Sequence, residues 1–119
     1  MNRQNRKFLD RWESQVRKGT LDFIILICLK EKEQYGYEMI KNIKNVTGME
    51  ISEGTIYPLL NRLKKDNLIT SHWVEMDTGI PRKYYQITPN GQQVLKEMTS
   101  SWEQFNLSLK LIKGDDDES

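Results

Sequence analysis

Few of the 119 residues could carry covalent or metal chemistry. There is one cysteine, Cys28, and one histidine, His72. That count excludes a disulfide framework and a Cys/His zinc site. His72 stands between Ser71 and Trp73 in a stretch that reads as strand, with no Gly-rich phosphate loop, metal-ligand set or nucleophile motif around it. The residues argue against an enzyme and call for no cofactor or metal. Hydrogen-bonding chemistry is better supplied. Ser52, Thr55, Tyr57, Asn61, Arg62 and Lys65 crowd residues 52–65, and Arg82 and Lys83 follow closely. Hydroxyl, amide, guanidinium and ammonium groups are those that bond base edges and phosphates. Each also has a plainer role as cap, core or solvated face, so the elements that position them must decide.

Periodicity predicts those elements. Phe8, Leu9, Trp12 and Val16 give a short amphipathic helix an apolar face that needs a partner surface. After Gly19, Thr20 is placed to cap a second helix, Leu21 to Leu29, which is apolar all round and therefore buried, with Cys28 a small core residue. A third helix follows Gly36 with Tyr37, Met39, Ile40, Ile43 and Val46, and stops near Gly48. Ser52 is placed to cap a fourth, in which Ile56, Leu59, Leu60 and Leu63 line one face and the other is polar. Pro58 lies beyond the first turn of that helix, so a kink or irregular start is expected there. Asn67 can end it in the left-handed conformation. Leu68 to Met76 and Arg82 to Thr88 read as two strands joined by the turn Asp77-Thr78-Gly79-Ile80-Pro81. Thr88 then caps a last helix with Pro89 at its first position.

That last helix places Leu95, Met98, Trp102, Phe105, Leu109 and Ile112 at alternating spacings of three and four, an a/d seam. A seam on a helix leaving a small domain pairs most readily with a copy of itself, the alternative being packing onto its own domain, and a chain this short gains from oligomerisation. A homodimer is therefore expected. Charge is distributed unevenly. The net charge is +1, yet residues 1–18 hold six basic side chains against Asp10 and Glu13, and Asp115-Asp116-Asp117-Glu118 is an acidic run. The longest apolar run, Phe23 to Leu29, is too short to cross a bilayer and no signal peptide opens the chain, so a soluble cytoplasmic protein with no membrane partner is expected.

Three helices and a two-stranded hairpin, in that order, describe a mainly α winged helix-turn-helix with a small β-hairpin. The expected division is a basic amphipathic helix over 1–18, the winged helix-turn-helix over 19–88, a dimerisation helix over 89–114 and a disordered acidic tail over 115–119. A major groove about 12 Å wide admits one α-helix. The fourth helix would present Ser52, Thr55, Tyr57, Asn61, Arg62 and Lys65 to double-stranded DNA, with Arg82 and Lys83 on the hairpin beside it.

The residues also resemble the PadR-type transcriptional regulators, over roughly Arg17 to Gly91. The likeness rests on Arg17-Lys18-Gly19-Thr20-Leu21, Tyr35-Gly36-Tyr37-Glu38-Met39, Gly54 to Leu63, Asn67-Leu68-Ile69, and Arg82 to Gly91. Ile56 and Asn67 depart from the family's usual Leu and Gly without threatening the fold. The resemblance implies a homodimeric repressor of detoxification, efflux or stress genes, with one recognition helix per subunit in successive major grooves. It places Tyr37, Thr55, Tyr57, Asn61 and Arg62 on the DNA side with Lys83 on the wing, and basic Lys18 is a further DNA-binding candidate. It also implies that the first helix, with Phe8 and Trp12, packs on the partner's last helix, and that Trp102 near the dimer axis is a candidate platform for a planar aromatic small molecule. A protein–protein adaptor whose polar helix never meets DNA is the alternative; weak dependence on salt would mark it.

Overall fold

The computed structural model describes residues 1–114, so the expected acidic tail over 115–119 lies outside the described residues. One helix, α1 (Arg3–Glu31), runs where two were expected, and Asn2 caps it by accepting from the Asn5 N–H at 2.8 Å. The break expected at Gly19 and the cap expected at Thr20 are thereby corrected. Helical phase is the reason. Phe8, Trp12, Val16, Thr20, Phe23 and Ile27 step by four and three straight through Gly19, making one continuous stripe. The Thr20 hydroxyl donates to the Val16 carbonyl at 2.8 Å, a bond internal to the helix. An exposed glycine costs a helix only about 1 kcal/mol. Burial of Leu21, Ile25, Leu26 and Leu29 on the following turns outweighs it.

Gln34 and Tyr35 form a two-residue strand, β1, that the sequence reading lacked. Gln34 is buried but satisfied: its amide donates to the Cys28 carbonyl at 2.8 Å and accepts from Asn42 at 2.8 Å. That amide fastens the end of α1 to α2 (Gly36–Thr47). Gly48 stops α2 with φ 76°, as only glycine does freely. Burial pushes the Cys28 thiol pKa up, in keeping with a packing role.

The next helix, α3 (Glu53–Lys65), buries Ile56, Leu60 and Leu63. The irregularity expected at Pro58 is confined to the first turn, where the Ser52 carbonyl accepts from both Thr55 and Ile56 N–H groups at 3.1 and 3.0 Å. Beyond it α3 runs unbroken through Pro58. Pro58 and Gly54, whose carbonyl loses its i+4 donor, are both exposed, so water can satisfy that oxygen. Asn67 takes φ 62° and reverses the chain as expected. β2 (Ile69–Val74) and β3 (Arg82–Ile87) form the hairpin, and β1 pairs with β3 to complete an antiparallel sheet of order β1-β3-β2.

Thr88 caps α4 (Pro89–Lys113), accepting from the Gly91 N–H at 2.9 Å and donating to the Asn67 carbonyl at 2.8 Å. A Cβ on Gly91 would collide with the Leu68 carbonyl and lie 2.7 Å from Ile87 Cγ1. Glycine is required there for α4 to approach the hairpin. Seven side chains from four elements, Ile25, Leu26, Met39, Ile43, Ile56, Leu60 and Ile69, make the centre of the core. Among the described residues no helix is long and apolar enough to cross a membrane.

Candidate nucleic-acid interface

The core fixes which side of α3 is left over. With Ile56, Leu60 and Leu63 turned inward, Gly54, Pro58, Asn61 and Lys65, three or four residues apart, form the opposite ridge. All four are exposed. Ser52 and Thr55 open the helix, and the Ser52 hydroxyl donates to the Thr55 hydroxyl at 3.1 Å rather than capping a backbone N–H. Lys18 of α1 lines a shallow recess with Arg17, Glu50 and Thr55, which brings it to this end of α3. Tyr37 is exposed on α2, with the Lys41 ammonium 5.6 Å from its ring centre.

Tyr57 flanks the ridge on the hairpin side. Its ring lies against Gly36, where a Cβ would sit 2.7 Å from Tyr57 Cε1. Burial, then the neighbouring Glu53 carboxylate, raises the Tyr57 pKa, so the phenol stays protonated and able to donate. Arg62 is less free than expected: its guanidinium donates to both Asp22 carboxylate oxygens at 3.3 Å, tying α3 to α1. Both partners are substantially exposed, and such a pair contributes only about 0–1 kcal/mol. A phosphate can therefore compete for that guanidinium. Lys64 is turned to the sheet, donating to the Ser71 hydroxyl at 2.7 Å.

On the hairpin, the Arg82 guanidinium stacks 4.4 Å from the Tyr35 ring centre, and the Lys83 ammonium stands 5.6 Å from that of Trp73. Tyr57 and Asn61 of α3 line a cleft of about 470 Å³ with Arg82, Lys83, Tyr35 and Trp73. The structure thus gathers Tyr57, Asn61, Arg82 and Lys83 in one place and Lys18, Ser52 and Thr55 in another, at the two sides of one ridge. Tyr35, Gly36, Asp22 and Trp73 were not among the expected site residues. For Trp73 a signal was available: in β2, Ile69, Ser71 and Trp73 alternate on the core side.

The residues expected at a dimer contact divide in two. Leu95 is only 4% exposed, so it serves its own domain and the expectation that it faces a partner is corrected; Met98 is half-buried, packing against the same core while also lining the groove at Trp102. The first turns of α4 must dock on α1 to close the core. Beyond them Trp102, Phe105, Leu109 and Ile112 are exposed, as are Phe8, Trp12 and Val16 on α1. Trp102 lies 6.2 Å from both Phe23 and Phe105, centre to centre, in an apolar groove of about 450 Å³ between α1 and α4. Among the described residues no group of three or more His, Cys, Asp or Glu side chains could hold a metal ion.

A helical trio whose last member has a polar outer face beside a hairpin wing defines a winged helix-turn-helix protein. The model of the transcriptional regulator PadR-like family matches residues 25–97. The transcriptional regulator Rv3488 of Mycobacterium tuberculosis is 39% identical over 83 residues, 70% of this chain and 76% of that one. A PadR family regulator of Eggerthella lenta is similar in structure with TM-score 0.84 and 30% identity, over 93% of this chain and 96% of that one. A PadR-like regulator of Bacillus cereus gives TM-score 0.75 and 37% identity, over 84% and 98%. The chain belongs to the PadR-like family of transcriptional regulators.

Proposed function

We infer that the protein is a homodimeric, sequence-specific DNA-binding repressor. The observation carrying this reading is the exposed ridge of α3, flanked by Arg82 and Lys83 on the wing and Lys18 on α1. In this reading Asn61, Thr55 and Ser52 reach base edges in the major groove, while Lys65, Arg62, Tyr57 and Tyr37 hold phosphates and Lys18, Arg82 and Lys83 add charge at the flanks. Two subunits join along residues 89–114 through Trp102, Phe105, Leu109 and Ile112, and α1 lays Phe8 and Trp12 on the partner's α4.

The groove at Trp102 favours a second element of the reading, a planar aromatic effector stacked on the indole. A ligand that prefers one dimer geometry would shift the spacing of the recognition helices away from the roughly 34–36 Å that one DNA face requires. Release of stress, detoxification or efflux genes would follow. The test of the main reading is titration of a library-selected duplex at stepped salt. Log affinity should fall steeply with log salt, by about 0.9 per phosphate neutralised. Salt-independent binding, or none, would instead support an adaptor.

A further inference from the structure

We propose that Trp73 is a DNA-contacting residue that packs its indole on the sugar-phosphate strand lying between the two grooves. This rests on the DNA-binding reading and names a contact of a different kind, apolar and insensitive to charge. The argument starts from sheet alternation. In the β2/β3 register, Ile69 opposes Ile87, Ser71 opposes Tyr85, and Trp73 opposes Lys83, so these six share one face of the hairpin. Ile69, Ile87 and Tyr85 on that face are buried against the core. Trp73 occupies the next position outward, yet it is 65% exposed. A core-facing position filled by the largest apolar side chain, with only the Lys83 ammonium beside it, is an uncovered surface rather than a packing residue.

What Trp73 faces is the cleft it shares with Tyr57 and Asn61. If α3 occupies a major groove and the hairpin tip the adjacent minor groove, the strand dividing those grooves must run between helix and wing. The cleft is suited to such a strand. Lys83 and Arg82 supply cations for phosphate oxygens, the protonated Tyr57 hydroxyl supplies a neutral donor, and the indole supplies a flat apolar wall for deoxyribose. The Lys83 ammonium already rests 5.6 Å from the centre of the indole ring and 6.0 Å from that of Tyr85, held at the mouth of the cleft.

The contact is to backbone, so a random-sequence duplex of roughly 30 bp, about three helical turns, suffices as probe. Trp73→Thr keeps a β-favouring residue on the wing, and Trp73→Phe keeps an aromatic face. Trp73→Thr should weaken binding roughly fivefold to tenfold with the salt slope unchanged, and Trp73→Phe should restore most of the loss. Lys83→Ala should instead lower the slope by about one. Unchanged affinity in Trp73→Thr beside weakened Lys83→Ala and Arg62→Ala would overturn the indole contact and leave the DNA reading standing. A Trp73→Thr loss accompanied by a lower slope would also overturn it, since the indole would then act only by placing Lys83. If none of the variants alters binding, the DNA reading itself fails. Indole quenching by a planar aromatic that Trp73→Thr abolishes, with DNA affinity untouched, would assign the cleft to a small molecule instead.

Discussion

Replacing Phe105 with Asp tests whether the bare stripe on α4 is a subunit contact. Phe105 is 55% exposed within its own subunit and touches Trp102 on the preceding turn. A phenylalanine buries up to about 200 Å². Roughly 110 Å² would then remain for a partner to cover, worth about 3 kcal/mol at 25 cal/mol per Å². A twofold axis doubles this to about 6 kcal/mol, and the carboxylate adds its own desolvation cost. At about 1.4 kcal/mol per tenfold, the dissociation constant should rise by roughly 10⁴. Sedimentation velocity at micromolar concentration should find the parent dimeric and Phe105→Asp monomeric, with the thermal transition of the subunit retained. An unchanged dimer, or a monomeric parent, would refute the seam.

Arg62→Ala and Lys83→Ala should each weaken binding to a selected duplex and lower the salt slope by about one, with the dimer intact; electrophoretic mobility at stepped salt measures both. Gly91→Ala forces α4 away from the Leu68 carbonyl and should cost about 2–3 kcal/mol, read as a melting temperature lower by roughly 10 °C. Fluorescence quenching by planar aromatics should persist in Trp73→Thr and vanish in Trp102→Ala if the groove between α1 and α4 binds them. Tyr57 and Tyr85 both have raised pKa values from burial first, so the folded state holds their protons more tightly than the unfolded chain does. Their stabilisation is complete below the usual tyrosine pKa of about 10 and is lost as pH rises through the folded values. Denaturant unfolding across pH 8–12 should show a decline above about pH 10 that Tyr57→Phe with Tyr85→Phe reduces.

Much of the fold was legible because it rests on local, periodic signals. The inward set Ile56, Leu60 and Leu63, the reversal at Asn67 and the Thr88-Pro89 start of α4 could be read directly from spacing and from cap or turn residues. What escaped depends on distant parts of the chain. β1 is two residues long, too short for any alternation, and exists because Gln34 and Tyr35 pair with Tyr85 and Tyr84. Gly19 read as a break because local propensity was weighed without the helical phase that carries the stripe through it. Leu95 fell on the a/d seam, but a seam says which side of a helix is apolar and not which neighbour covers it. The polar ridge of α3 was legible in composition, whereas the Arg62–Asp22 tie and the Trp73 cleft needed three dimensions.

Hydroxyl-radical footprinting of a duplex selected by the protein tests most directly whether two recognition helices meet one face of DNA. Two protected patches about 10 bp apart on the same face, both lost in Phe105→Asp at concentrations that keep it monomeric, are the predicted result. A single patch, two patches on opposite faces, or protection unaffected by the loss of the dimer would contradict it.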